Sequence, residues 1–221
     1  VSRTLNNPQL FPVTAIDDQG MPAAERMTVA GLRQRFRQTL DWQPEINVDE
    51  QSMHSGAAFR PASVLIPVVN RAQPSLLLTQ RAANLQHHAG QISFPGGRFE
   101  ESDASLIDTA LRETEEEVGL SRQQIEVLGV LPEYRTGTGY LVTPVVAIIE
   151  PPFEIRYDEG EVASVFEVPL AFLMDGKHHE RRLVAMPDGR ERHFYAMPYE
   201  QHFIWGATAG MLRNLYHFLR A

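Results

Sequence analysis

The sequence predicts one α/β domain, a mixed sheet covered by helices, with helical additions at both ends. Three observations point there. Short apolar, β-branched runs recur between residues 63 and 196, one strongly amphipathic helix is embedded among them, and a second helix with an apolar face closes the chain. No internal repeat or low-complexity linker interrupts the 221 residues, a length suited to one domain with elaborated ends.

Taken in order, the first 25 residues are punctuated by Pro8, Pro12, Gly20 and Pro22 and read as an irregular lead-in. A helix follows from about Thr28 to Leu40, with Thr28 as its cap and Val29, Leu32, Phe36 and Leu40 at helical spacing. Residues Gln43–Phe59 read as a connector. Ser63–Val69 is a strand, Asn70–Pro74 a turn, and Ser75–Thr79 a hairpin partner. The polar, glycine-containing stretch Gln80–Glu101 leads into the clearest helix, which Asp103 is placed to cap. Ile107, Ala110, Leu111, Thr114 and Val118 form its buried stripe, and Gly119 ends it because glycine tolerates the left-handed backbone there. Further strands are predicted at Ile125–Leu131, Leu141–Ile149 and Val162–Val168. A pair at Arg182–Met186 and Arg192–Ala196 flanks the turn-forming Pro187-Asp188-Gly189. The last helix places Leu212, Leu215, Tyr216 and Leu219 on one face.

Composition narrows the function classes. A net charge of −8, from 20 basic and 28 acidic residues, argues against a general binder of nucleic acid or of anionic membranes. An anionic small molecule stays open, since a local cation inverts the field where it binds. With no cysteine there are no disulfides, thiolate metal sites or thiol nucleophiles. No 18-residue apolar stretch occurs, Val1–Leu10 has no secretory pattern, and the last four residues form no peroxisomal address. The expectation is a cytoplasmic protein. Its oligomeric state is left open and is compatible with a homodimer.

The central helix carries Arg112-Glu113-Thr114-Glu115-Glu116-Glu117-Val118-Gly119. Glu113, Glu116 and Glu117 stand at i, i+3 and i+4, so their carboxylates share a face while Glu115 points away to solvent. Like-charge repulsion there costs roughly 0.2–0.5 kcal/mol per pair, which a divalent cation offsets. Hard oxygen donors select Mg²⁺ or Mn²⁺, whose other preferred partners are phosphate oxygens and water. A bare glutamate run is more often a solvated face, but two features raise this one above that. Arg112 lies four residues before Glu116, placed to orient it. Upstream, Phe94-Pro95-Gly96-Gly97 is a turn whose backbone amides can approach an anion. A glycine loop leading into an acidic helix suits a diphosphate held by metal.

Gly97, Asp103, Arg112, Glu113, Thr114, Glu116, Glu117, Gly119 and Leu120 resemble the box that defines the Nudix family. Eight residues separate Asp103 from Arg112, one more than in the general pattern. That longer spacing, with Leu76–Arg81 and Leu85–Gly97, is similar to the coenzyme A diphosphatase branch. Gly139–Pro144 and Trp205–Ala209 continue the likeness, which covers the chain from about Phe59 onward. Gln86 stands where that branch often carries arginine.

The resemblance implies a Nudix α/β/α sandwich over residues 59–197. Residues 1–58 would be an N-terminal extension with a helix, and 198–221 a C-terminal helix packed on the same domain. It implies metal-dependent hydrolysis of the diphosphate of coenzyme A, giving 4′-phosphopantetheine and adenosine 3′,5′-bisphosphate. Glu113, Glu116 and Glu117 would hold Mg²⁺ or Mn²⁺, with Glu116, Arg112 and a distal acid serving catalysis. Glu161 is the first candidate for that acid, and Glu159 and Glu167 compete with it. Candidate substrate contacts are Arg60, Arg81, His88, Gly96, Gly97 and Arg98. Two other readings use the same helix: hydrolysis of ADP-ribose, a dinucleotide or a nucleotide sugar, and a non-catalytic nucleotide-binding module. Three aromatic residues, Tyr134, Tyr140 and Phe194, fit core packing better than base stacking. His178-His179 reads as an exposed turn.

Overall fold

Residues 64–69 and 144–149 are apolar at consecutive rather than alternate positions, so strands formed there need cover on both faces. A computed structural model, which describes residues 7–45, 58–85, 88–186 and 189–221, provides it. In chain order the strands are β1 (Val13–Ile16), β2 (Arg60–Val69), β3 (Ser75–Arg81), β4 (Ile92–Ser93), β5 (Gly96–Arg98) and β6 (Ile125–Val130). They continue with β7 (Tyr134–Arg135), β8 (Tyr140–Ile149), β9 (Val162–Pro169), β10 (Glu180–Ala185), β11 (Glu191–Tyr199) and β12 (His202–Trp205). The α-helices are α1 (Val29–Phe36), α2 (Leu106–Val118), α3 (Leu170–Leu173) and α4 (Gly206–Arg220).

The larger sheet runs β4-β3-β2-β8-β6, with β5 also on β2, β7 on β8 and β9 on β3. At its centre β2 and β8 pair in parallel from Arg60↔Tyr140 to Val69↔Ile149, and the other pairings are antiparallel, so the sheet is mixed. On one face Leu65, Val145 and Ala147 pack against Ala110, Ile107 and Leu111 of α2. On the other, Ala62, Ile66, Val68, Val142, Val146 and Ile148 meet Leu32 of α1 and Leu212, Leu215 and Leu219 of α4. Full burial of one such leucine contributes roughly 1.5–3 kcal/mol. This is an α/β/α sandwich as expected, with Tyr134 and Phe194 in cores.

The structure departs from the sequence expectations in several places. The β2–β3 hairpin holds its ladder only at Val68↔Leu76 and Val69↔Ser75. Beyond that the same edge of β3 passes to β4, while its other edge pairs with β9 from Ser75 to Arg81, and β5 takes the vacated edge of β2 inside the stretch expected to be a loop. Helix α1 is capped by the Thr28 side chain as predicted but stops at Phe36, where Arg37 and Gln38 close the turn with i−3 bonds. Most of the expected 43–59 connector lies outside the described residues, as do Pro187 and Asp188 of the expected turn. The N-terminal lead-in is not wholly irregular. Its β1 joins β10, β11 and β12 in a second, four-stranded sheet, and β12 was not expected.

That second sheet is tied to α4 by charge. Arg213, 1% exposed, reaches Asp17 at 2.7 Å and Glu45 at 2.8 Å, both from the N-terminal segment. The Tyr195 hydroxyl on β11 donates to the same two carboxylates. His179 is fully buried, which corrects the exposed-turn reading, and His178 stacks on Phe172 at 3.9 Å. The two nitrogens of His179 face Arg213 Nη1 at 3.0 Å and the Leu173 carbonyl at 2.8 Å. Since the guanidinium only donates, Nδ1 accepts and Nε2–H donates. Burial lowers the pKa of this imidazole to about 4, and the contacts fit the neutral ring.

Candidate active site

Helix α2 begins where Ser105 takes an extended backbone and its hydroxyl accepts the Asp108 amide at 3.2 Å. Asp108 itself lies in the first turn, favourable for the helix dipole. The cap is therefore Ser105 and not Asp103, because the Asp103 carboxylate is fully engaged elsewhere. It receives Arg112 Nε at 2.8 Å and Nη2 at 3.1 Å, the Thr109 hydroxyl at 2.8 Å and the Glu100 amide at 3.0 Å. The bond from Arg112, against the penalty of burial, holds the Asp103 carboxyl far below the usual range and raises the guanidinium in turn. At the other end Gly119 adopts φ 74°, the left-handed cap the sequence predicts.

Arg112 uses the rest of its fork to set the acids. Its Nη1 lies 3.0 Å from Glu113 and 3.0 Å from Glu116, and Nη2 donates to the Arg98 carbonyl at 3.2 Å. The i, i+4 orientation of Glu116 expected from the sequence is present. Glu117 projects inward, 5% exposed, and accepts the Gly96 amide at 3.1 Å, with Arg81 Nη1 3.9 Å from its other oxygen. Burial pushes its carboxyl up to about 7, against the Gly96 amide and Arg81, and the charges of Glu113 and Glu161 add to the rise. Burial also raises Glu113, against Arg112. Gly97 is needed for this approach. A Cβ there would run into the Glu113 carboxylate, so any other residue would displace it.

The structure thus brings Glu113 and Glu117 together under Gly96–Gly97 and leaves Glu116 at the rim, its side chain 60% exposed. Among the described residues no three carboxylates or imidazoles stand together as a ready-made metal site. Arg112 draws Glu113 and Glu116 toward itself, and mutual repulsion does the rest. The donor set still fits a hard divalent cation. It is all carboxylate oxygen, it is partly desolvated, and the raised carboxyls lack sufficient positive charge nearby.

Of the distal acids, Glu161 directly precedes β9, its carbonyl accepting the Ala82 amide at 2.8 Å, and its charge is felt by both Glu113 and Glu117. Glu167 is withdrawn from the site. It pairs with Arg71 at 2.6 Å, six residues or roughly 20 Å further along the chain than Glu161. Glu159 is exposed and close to Glu161 in sequence. Arg81 has a buried Nε with no partner among the described residues. The turn beside it is organised by His88, whose Nδ1 lies 2.9 Å from Gln91 Oε1, while Gly90 and Gln91 exchange backbone bonds with Arg81. Gln86 and His87 lie outside the described residues. Arg60 and Arg98 are set apart from the carboxylates, over the ring of half-buried Tyr140.

A model of the NUDIX domain matches residues 59–192 of this chain. The chain belongs to the Nudix family. It is 50% identical over 157 residues to a protein of Escherichia coli O1:K1 described as an uncharacterized Nudix hydrolase, NudL, covering 71% of this chain and 81% of that one. A Shigella boydii serotype 18 protein of the same description matches to the same extent. Among solved structures, the NUDIX domain of Shewanella oneidensis NrtR complexed with ADP ribose is similar at 24% identity and a TM-score of 0.41, over 53% of this chain and 77% of that one. A Caenorhabditis elegans Ap4A hydrolase binary complex is similar at 21% identity and a TM-score of 0.42, over 50% and 80%. The protein is a Nudix hydrolase, and such enzymes generally use divalent metal ions. In this Nudix helix the sequence pattern located the acids. It did not reveal that Asp103 anchors Arg112, or that Tyr140 holds Arg60 and Arg98. No helical spacing signalled the first, since Asp103 precedes the helix that carries Thr109 and Arg112.

Proposed function

We propose that this Nudix hydrolase cleaves the diphosphate of coenzyme A, releasing 4′-phosphopantetheine and adenosine 3′,5′-bisphosphate, with the domain at residues 59–197 carrying the reaction in the cytoplasm. The observation that carries the substrate assignment is the Leu76–Gly97 segment. Its likeness to the coenzyme A diphosphatase branch is joined by the long interval from Asp103 to Arg112. The interval has a physical use, since it lets Asp103 reach back to the Arg112 guanidinium while Ser105 caps the helix.

The residues divide the work. Glu113, Glu117 and the rim residue Glu116 would hold Mg²⁺ or Mn²⁺. A cation bound there would neutralise non-bridging phosphate oxygens and acidify water. Arg112 keeps Glu113 and Glu116 in place, and Asp103 keeps Arg112. Glu161, exposed beside the buried acids, accepts the proton of the attacking water. Arg81, with its spare Nε, the His88 turn and the Gly96–Gly97 backbone face the diphosphate. As water adds to one phosphorus, the bridging P–O bond breaks and its electron pair leaves with the other phosphate.

The test is the full chain incubated with coenzyme A, ADP-ribose and NADH, with and without Mg²⁺ or Mn²⁺, and products identified by mass. Coenzyme A is expected to exceed ADP-ribose in kcat/KM by at least about tenfold, or ~1.4 kcal/mol in transition-state binding. Preference for ADP-ribose or NADH would keep the Nudix chemistry and overturn the substrate.

A further inference from the structure

The metal site accounts for a diphosphate but not for a second phosphate group on the same nucleotide, and a different part of the sheet has the chemistry for one. At the open end of the large sheet, Arg60 of β2 stands in register with Tyr140 of β8, and Ala62 with Arg98 of β5. Side chains two apart on a strand, or paired across strands, share a face. Arg60, Arg98 and Tyr140 therefore emerge together. The guanidinium carbon of Arg60 lies 4.2 Å from the Tyr140 ring centroid and that of Arg98 5.5 Å.

Two features distinguish this pair from ordinary surface arginines. First, Arg33, Arg71, Arg112, Arg122 and Arg213 each hold a carboxylate at 2.6–2.8 Å. Arg60 and Arg98 face only the ring among the described residues, in a chain of net charge −8. Second, one aromatic ring orders two like charges, so their donors are set before an anion arrives. The ring is covered by cations, which leaves it poorly placed to stack a base.

Strand β5 links this pair to the acids. Gly96 donates its amide to Glu117, Gly97 lies against Glu113, and Arg98 follows directly. Gly97 faces α2 while Arg98, the next residue, shares the opposite face with Ala62, so the pair lies across strand β5 from the acids. Two residues of extended strand span roughly 7 Å, a distance that a ribose with ester oxygens at both ends bridges. We infer that Arg60 and Arg98, ordered on Tyr140, form a phosphate-monoester subsite that receives the 3′-phosphate of the nucleotide whose 5′-diphosphate lies at the acids. The identity of that nucleotide rests on the coenzyme A reading, while the subsite itself is testable without turnover.

The test measures, by calorimetry on the full chain, binding of adenosine 3′,5′-bisphosphate and of adenosine 5′-monophosphate. The unsubstituted chain is expected to prefer the bisphosphate by about tenfold, ~1.4 kcal/mol. The double variant Arg60→Gln, Arg98→Gln is expected to reduce that preference to within about twofold while leaving monophosphate affinity in place. Tyr140→Leu, which keeps both charges but removes their support, should lose part of it. Arg135→Gln, whose side chain lies on the other face of the sheet in register with Leu141, should keep it all. Equal or undetectable binding of the two nucleotides by the unsubstituted chain overturns the subsite, as does a preference that survives the double substitution. A preference lost in the double variant, with no cleavage of coenzyme A, would overturn the substrate assignment alone and leave the subsite standing.

Discussion

The acid face of α2 and the network around Arg213 are built from the same side-chain types, and both reach residues with almost no exposure. They differ in how their charges are balanced. Around Arg213, two carboxylates meet a buried guanidinium, an imidazole and a tyrosine hydroxyl. Burial pushes Glu45 up, but His217, Arg213 and Tyr195 outweigh it and hold its carboxyl at about 2. On α2 the cationic groups are already committed. Arg112 is shared among Asp103, Glu113 and Glu116, and Arg81 stays 3.9 Å from Glu117, whose carboxyl rises to about 7. One network closes on itself and fastens the N-terminal segment to α4. The other is left short of positive charge and wants a cation, which is the mark of a site rather than a brace.

The sharpest way to break this contrast is Glu117→Gln. Turnover is expected to fall by roughly a hundredfold or more, the scale of removing one preorganised electrostatic group. The metal-free variant should be at least as stable as the parent, because a buried carboxyl short of positive charge has gone. Initial rates with Mg²⁺ and urea unfolding measure both. Near-normal turnover by a folded variant would remove Glu117 from the metal site.

Arg213→Met should show the reverse pattern. Leaving Asp17 and Glu45 without their cation is expected to cost about 3 kcal/mol of stability. Turnover per folded molecule should change by less than about twofold. A large loss of kcat in a stably folded variant would mean that the network serves the site and not the scaffold.

The two clusters should also titrate with opposite signs. Glu45 has a folded pKa of about 2, below the ordinary 4.5, so its contribution is present above that ordinary value and is lost as pH falls toward 2. After allowance for its partial exposure this is on the order of 2 kcal/mol. Glu117, raised to about 7, destabilises the metal-free fold progressively as pH climbs from about 4.5 through 7. Unfolding free energies of Glu45→Gln and Glu117→Gln, each relative to the parent and without metal, should therefore diverge. The deficit of the first shrinks toward pH 3, and the advantage of the second grows toward pH 8. Parallel curves would refute the difference in balance.

The smallest effect is expected for Asp103→Asn. It keeps the volume and part of the bonding but weakens the hold on Arg112, and should lower kcat by about tenfold, within the usual 10–100-fold range for groups that orient metal ligands. Its KM should barely move. A larger rise in KM than fall in kcat would assign Asp103 to substrate rather than to positioning.

What the sequence determined by itself was local. The i, i+3, i+4 spacing of Glu113, Glu116 and Glu117, the pairing of Arg112 with Glu116, the Thr28 cap and the Gly119 stop each depend on residues within about one turn of helix. The central strands were legible for a related reason. A run of consecutive apolar residues reports that both faces are covered, without saying by what. Only the tertiary structure decided which carboxylate is buried, since Glu116 and Glu117 are neighbours and only Glu117 meets the Gly96 amide. It also decided that Asp103 serves Arg112 instead of capping, and that Arg60 and Arg98 share a ring. His179 is interior, and β1 pairs with β10 far along the chain. The separation from Asp17 to Arg213 is 196 residues. Periodicity describes the faces of one element at a time, whereas partners so distant are chosen by strand order and helix docking, which no local pattern encodes.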